Sequence, residues 1–286
     1  MLNFRYHALS LTAVFIALAV GLLLGVAIGD AGLVSSADRK IRESLRRDVD
    51  RAKRRVQTAQ ADVARADRFE RDVYPLLVSG ELSGRTIGVV FLGNRDKDIA
   101  GDIRDGLQVS GADVRSTAAT GSPADLGDAG RIAAGTRYGE LAAKPEPDLD
   151  LVQDFGFRMG AQYVNPARLL EAERPTVFDT FNGALQVLDA VVVVYDPVDL
   201  RSGYAKSARD RFDEGFVEGL RKSRIPVVGV EQTSTDPSRI GWYKDRKISS
   251  VDDVEETAGR ASLVFALKGT EGAFGRKGSA SDGLLP

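Results

Sequence analysis

The chain opens with a run of twenty uncharged, mainly apolar residues, Leu9 to Ile28. At 1.5 Å rise per residue such a run spans roughly 30 Å as a helix, the thickness of a bilayer's hydrocarbon core. No residue from Ala8 to Gly29 carries a charge, so nothing in the run resists insertion. A cleaved signal sequence is the competing reading, with Arg5 as its basic start and Ala27 and Gly29 ahead of a cut before Asp30. The run is longer than a usual signal core and the helical pattern resumes soon after it, which favours an uncleaved anchor. Ala13, Ala17, Gly21, Gly25 and Gly29 recur at four-residue intervals and so share one helix face. Small residues in register let two membrane helices approach closely, and the stripe predicts a pair.

A second pattern follows. From Ser35 to Tyr74 there is neither Gly nor Pro, Arg, Lys, Ala, Glu, Gln and Leu dominate, and Pro75 ends the stretch. With Val49, Val56 and Val63 at heptad position a, position d holds Leu45, Ala52, Ala59, Ala66 and Val73. A 3.5-residue apolar repeat of this length predicts a coiled coil, broken at its ends where Arg42 and Glu70 take a positions. Alanine at d buries little, so the seam is weak alone and draws on the span for alignment. A single amphipathic helix packed on the chain's own globular part is the other reading of the same pattern.

Beyond the stalk, from Gly84, the pattern alternates between apolar runs and helical spacing. Thr86–Leu92 and Asp189–Tyr195 read as strands buried on both faces, and Pro226–Val230 as a third, with a short one near Val114. Helices are expected after the first strand (Ile99, Ile103 and Leu107 in register), over Leu149–Gln162, Ala167–Glu173, around Phe212, Phe216 and Leu220, and over Val251–Leu267. Ala118–Pro147 reads as loop with one short helix. Strands separated by helices imply an α/β fold with a doubly wound, mostly parallel, Rossmann-like sheet.

Charge and composition narrow the function. The stalk carries twelve basic and eight acidic residues; residues 75–286 carry 26 and 32, a net charge of −6. An acidic globular part shows no basic face for nucleic acid, and no nucleic-acid partner is expected. Arg39, Lys40, Arg42, Arg46 and Arg47, close to the span, suit anionic lipid head groups, so membrane lipid is an expected partner. Taken alone, those charges would place the stalk in the cytoplasm, although large domains translocate largely regardless of charge. The sequence has no cysteine, which removes disulfides, thiolate chemistry, lipidation at a cysteine and cysteine-type metal sites.

Strand ends at Gly93–Asp96, Asp196–Asp199 and Glu231–Ser234 match neither GxGxxG nor a phosphate loop. Asp96, Asp196 and Glu231 could gather at one edge of the sheet, though such residues usually cap helices and form turns. The one histidine, His7, precedes the span, so no Ser-His or Cys-His catalyst can form in the globular part. No catalytic, cofactor or metal residue is assigned, and an enzyme is not expected.

Several short motifs occur together and in order. They are Phe4-Arg-Tyr-His-Ala-Leu-Ser10, Gly25-Val-Ala-Ile-Gly29, the Ala-Val-Val-Val-Val run at 190–194, Pro226-Val-Val-Gly-Val-Glu231, Ser250-Val-Asp-Asp253, Ala258-Gly-Arg260 and Leu284-Leu-Pro286. Over nearly its full length the chain resembles the actinobacterial MctB-like family of copper transporters or copper transport outer-membrane proteins. That group includes SteB-type cell-separation proteins. The resemblance implies a role in copper efflux or homeostasis and a globular domain outside the cytoplasm. From the residue patterns, with the outward placement taken from the resemblance, residues 1–8 are expected as a short tail, 9–29 as a transmembrane helix, 30–79 as a coiled-coil stalk and 80–286 as an extracytoplasmic α/β domain, in a single-pass cell-membrane protein; an outer-envelope or secreted location after signal cleavage is the alternative.

Copper(I) wants Cys or Met, and copper(II) wants His with oxygen donors. The chain offers Met1, Met159 and His7, so copper enters as a partner by resemblance alone. Nor is there the repeated ten-residue alternation of an outer-membrane barrel. Two functions follow: a copper-efflux component acting as a homodimer or oligomer, and an envelope scaffold whose coiled coil recruits a protein partner such as a peptidoglycan hydrolase.

Overall fold

A computed structural model describes residues 4–29, 33–121, 124–200 and 203–286, with the side chains of 4, 5, 29 and 33–38 outside that description. Met1, the candidate cleavage point at Asp30 and the first residues of the expected stalk lie outside the described residues, as do the side chain of Arg5 and the last position of the small-residue stripe. The chain divides into two compact units, Met1–Asp67 and Arg68–Pro286.

The first unit is helical. α1 runs Phe4–Gly29 and α2 starts at Leu33, continuing to Val78 in the second unit. Within α1, Tyr6–Ile28 has a mean hydropathy of 2.7 and every described side chain is exposed. By length and composition this helix is long and apolar enough to cross a membrane. α2 holds its polar surface together with ion pairs one turn apart, Asp48 with Arg51 at 2.5 Å and Asp62 with Arg65.

Pro75 does not end α2. The helix carries it internally and closes one turn later, with the Ser79 amide bonded to the Pro75 carbonyl at 3.0 Å. A proline costs a helix one N–H and crowds the carbonyl four residues back. Here Arg71 is exposed, so its carbonyl can turn to water, while Tyr74 and Val78 on either side are buried and hold the turn in place.

The second unit is a seven-stranded sheet in the order β3-β2-β1-β4-β5-β6-β7, parallel throughout except for β2 against β3. Its strands are β1 Thr86–Gly93, β2 Asp113–Ala119, β3 Thr180–Gly183, β4 Ala190–Asp196, β5 Val227–Val230, β6 Ser249–Val251 and β7 Ala273–Phe274. The helices between them are α3 Lys97–Ser110, α4 Leu126–Ile132, a 3-10 turn at Arg137–Ala142, α5 Leu149–Val164, α6 Arg168–Val177, α7 Tyr204–Lys222, α8 Ile240–Asp245 and α9 Thr257–Lys268.

Side chains alternate across a strand, so a run that is apolar at every position needs cover on both sides. In β1, Val90 and Leu92 join one core while Ile87, Val89 and Phe91 join the other; in β4, Val191 and Val193 divide from Ala190, Val192 and Val194 in the same way. α5 and α7 supply the first core, and α3, α9 and the end of α2 the second.

The structure departs from the sequence reading at three places. The last helix begins at Thr257, because Val251 closes β6 and Asp252 turns to accept the amides of Arg276 and Lys277 at 2.8 and 3.0 Å. The 118–147 stretch holds the end of β2, α4 and a 3-10 turn. β3, β6, β7 and α8 have no counterpart in the sequence reading, since elements of two to six residues are too short to show a period.

α5 and α7 pack backbone to backbone. A Cβ built at Gly156 or Gly160 would lie 2.3 or 2.0 Å from the Phe212 or Phe216 carbonyl oxygen. At Gly215 or Gly219 it would lie 1.9 or 2.2 Å from the Gln153 or Phe157 oxygen. Both helices thus place glycines four apart at the contact, and neither can carry a side chain there. Gly160→Ala should cost about 1–3 kcal/mol despite alanine's higher helix propensity, because the backbone must move apart. Gly101→Ala in α3, where nothing lies within 4 Å, should gain up to ~1 kcal/mol. Thermal melts of the two variants, followed by circular dichroism, check the opposite signs.

Candidate functional site

Two surfaces and one sheet edge carry the residues singled out by the sequence. On α1, Ala17, Gly21 and Gly25 line a shallow hollow with Leu18, Leu22 and Val26 beside them. A Cβ at Gly21 or Gly25 would meet nothing within 4 Å, so the hollow is open along that face, and Ala13 continues it one turn earlier.

On α2 the heptad positions are solvent-facing. Leu45, Val49, Val56 and Val63 are 62, 45, 55 and 60 % exposed, and Ala52, Ala59 and Ala66 are exposed as well. Ala52 and Ala59 make dips between valine ridges: one hollow is lined by Val49, Ala52 and Val56, the next by Val56, Ala59 and Val63. Val73, in the second unit, is half-buried, and Tyr74 beside it donates its hydroxyl to the Gly106 carbonyl at 2.5 Å.

The carboxyl edge of the sheet does not assemble a carboxylate site. Asp96 caps α3, accepting the Asp98 and Ile99 amides at 2.7 and 3.1 Å. Glu231 is buried and saturated: Ser238 and Lys277 donate to Oε1 at 2.7 Å each, and the Arg239 amide donates to Oε2 at 2.5 Å. Asp196 closes β4 with an exposed side chain, and its carbonyl sits where a Cβ of Gly93 (φ +130) would be. Among the described residues no group of three or more His, Cys, Asp or Glu stands close enough to hold a metal ion. Met159 is fully enclosed in the core of α5, and His7 lies on α1. The donor set therefore does not fit a resident copper centre.

Polar clamps that the sequence reading missed stand at the same edge. Arg209 is buried and donates to Asp213 (2.7 Å), the Gly121 carbonyl (2.9 Å) and the Thr120 hydroxyl (2.6 Å). Lys277 spends its remaining two protons on the Gln232 and Thr235 carbonyls. The visible signal was an Arg and an Asp four residues apart on an otherwise apolar helix face. Two of the motifs that carry the family resemblance prove to be joints of the same kind: Arg260 pairs with Asp102 at 2.9 Å, and Gly259 leaves room for the Asp253 carbonyl.

These features define an α/β protein that carries one long apolar N-terminal helix, then a long polar one, and no assembled metal cluster among its described residues. Comparison with known proteins places it. The family described as "Copper transport outer membrane protein, MctB" matches residues 1–285. The chain is 27 % identical to proteins named "Copper transporter MctB" from Mycobacterium bovis and Mycobacterium tuberculosis, over 93 % of this chain and 92 % of theirs. The chain belongs to the MctB family.

Three buried carboxyls stay protonated longer than usual. Burial pushes Glu173 up to about 7, Asp253 up to about 7 with Asp252 adding repulsion, and Asp213 up to about 6 against the pull of Arg209. Among the described residues neither oxygen of Glu173 has a hydrogen-bond partner. Because the folded values lie above those of the unfolded chain, these groups contribute stability that is full below about pH 4 and is lost as pH rises through 6 to 7. Glu173→Gln should therefore match the wild type within ~0.5 kcal/mol at pH 4.5 and exceed it by about 1–3 kcal/mol at pH 8. Thermal melts of the full chain in neutral detergent, read by fluorescence of Trp242, the single tryptophan, measure the difference.

Proposed function

We propose that this protein is a non-enzymatic, single-pass envelope component of copper handling that works as a parallel homodimer. Its two faces for pairing are the small-residue stripe of α1 and the seam of α2, and its acidic α/β unit stands outside the cytoplasm. Family membership supports the copper-related role. The observation that carries the pairing is the row of valines, each 45–60 % exposed, flanking alanine hollows on a helix whose sequence repeats every seven residues. Knobs of a second copy fit hollows of that kind. In parallel register, Asp48 at position g meets Lys53 at position e of the partner helix, while Asp62 meets Asp67; the flanking charges thus roughly cancel and the apolar seam and the span decide the pairing.

Copper is cargo in this reading, and no resident site handles it. The reversal of strand order between β1 and β4 supports a doubly wound, Rossmann-like platform. It is a mostly parallel open sheet sandwiched between helices, unlike the closed antiparallel barrel that crosses an outer membrane. Passage of copper across an envelope layer would then depend on the assembled oligomer.

Val56→Asp with Val63→Asp should convert a dimeric full-length chain in neutral detergent to monomer, with helix content unchanged, as read by light scattering and circular dichroism. A strain carrying only that variant should accumulate copper as a deletion strain does. Unchanged copper with chained, unseparated cells would replace the copper role by recruitment of a wall hydrolase through the same seam. Tight stoichiometric copper binding by the isolated chain in calorimetry would overturn the absence of a resident site.

A further inference from the structure

At the amino ends of β5, β6 and β7, opposite the edge described above, a cleft of about 610 Å³ opens. Its floor is apolar, with Ile225, Val227, Ile248 and Ala273 among the residues that line it. Its walls carry four cations, Arg221, Arg224, Lys244 and Lys247, against two carboxylates. Asp282 is already engaged: its Oδ2 accepts the Ala273 amide at 2.8 Å and the Ser281 hydroxyl at 3.2 Å. Among the described residues the Lys244 side chain bonds only the Ser281 hydroxyl, at 3.4 Å, and the side chains of Arg221, Arg224 and Lys247 have no hydrogen-bond or ion-pair partner.

Cations near helix C-termini have an ordinary explanation, since they complement the negative end of the dipole. That accounts for Arg221 and Lys244, in the last turns of α7 and α8. It does not account for the positions of Arg224 and Lys247. Each follows the end of its helix in the left-handed region, φ 59 and 54, and they are the two described non-glycine residues with positive φ. A side chain is disfavoured there and glycine is the usual occupant. The chain follows that rule elsewhere, with Gly111 (φ 77) after α3 and Gly269 (φ 123) after α9. The two exceptions both bring a long cation, and both line this one cleft.

We infer that the cleft binds a phosphoryl group carried on a compact apolar or polyol body: the phosphate sits among Arg221, Arg224, Lys244 and Lys247, and the body lies on the Ile225–Ile248 floor. Guanidinium and ammonium groups without internal partners form charge-assisted bonds to phosphate oxygens. Such a ligand comes either from a lipid head group or from a free phosphate ester, and the site is independent of the copper role.

The test uses the full chain in neutral detergent, titrated calorimetrically with glycerol 3-phosphate and, separately, with dihexanoyl phosphatidylglycerol. Arg224→Gly with Lys247→Gly removes two charges while easing the backbone, so its melting temperature should not fall below the wild type; Arg224→Asn with Lys247→Asn, also tolerant of the left-handed region, serves as a second neutral pair. Saturable binding that weakens with added salt, and by about tenfold or more in both variants, supports the site. Binding of glycerol 3-phosphate assigns a free ester, and binding of the lipid alone, above the background of the variant in the same micelles, assigns a head group. No saturable binding of either probe, or equal affinity in wild type and variants, would overturn the inference.

Discussion

Burial of β1 and β4 on both faces is the constraint on which the rest of the α/β unit depends. Two adjacent strands whose central positions are all apolar cannot face water on either side, so a helical layer must form on each. One layer is α5 and α7, drawn so close by four glycines that their backbones touch. The other is α3 and α9, joined by Tyr74, Val78 and Leu82. That second layer explains why α2 continues past Pro75: its last turn belongs to the core of the sheet, whatever the proline costs locally.

Polar residues at the two edges of this sheet have opposite fates. At the carboxyl edge, where open α/β sheets usually hold ligands, Asp96, Glu231, Arg209 and Lys277 are consumed by caps and clamps. Their hydrogen-bonding capacity is spent on the protein itself. At the amino edge, the side chains of Arg221, Arg224 and Lys247 have no partner among the described residues and stand around an apolar floor. A protein of this architecture that uses its unconventional edge would leave no familiar nucleotide motif in its sequence, which agrees with the absence of GxGxxG and phosphate-loop patterns.

How much of this could be read from the chain depended on the length of each element. The strands Thr86–Leu92 and Asp189–Tyr195 and the helices around Ile103 and Phe216 were legible because each repeats its apolar spacing several times. β3, β6, β7 and α8 were not, being pieces of two to six residues held by neighbours rather than by their own pattern. Pro75 makes a related point: the local disfavour for proline inside a helix is overridden by burial of Tyr74 and Val78. The candidate carboxylate edge was legible as three acidic strand ends, but which acid caps, which clamps and which stays exposed depended on partners as distant as Lys277.

Period and charge along the chain were enough to determine an uncharged membrane-length helix, a long polar helix with a seven-residue repeat, an α/β unit and the lack of thiol or histidine chemistry, because each of these is a property of neighbours in sequence. Tertiary structure alone decided where helices meet through glycine, which buried acids lose their partners, and that Arg224 and Lys247, twenty-three positions apart, open on one cleft. Such features arise from residues that become neighbours only after the sheet has formed, and no spacing in a linear chain encodes that distance.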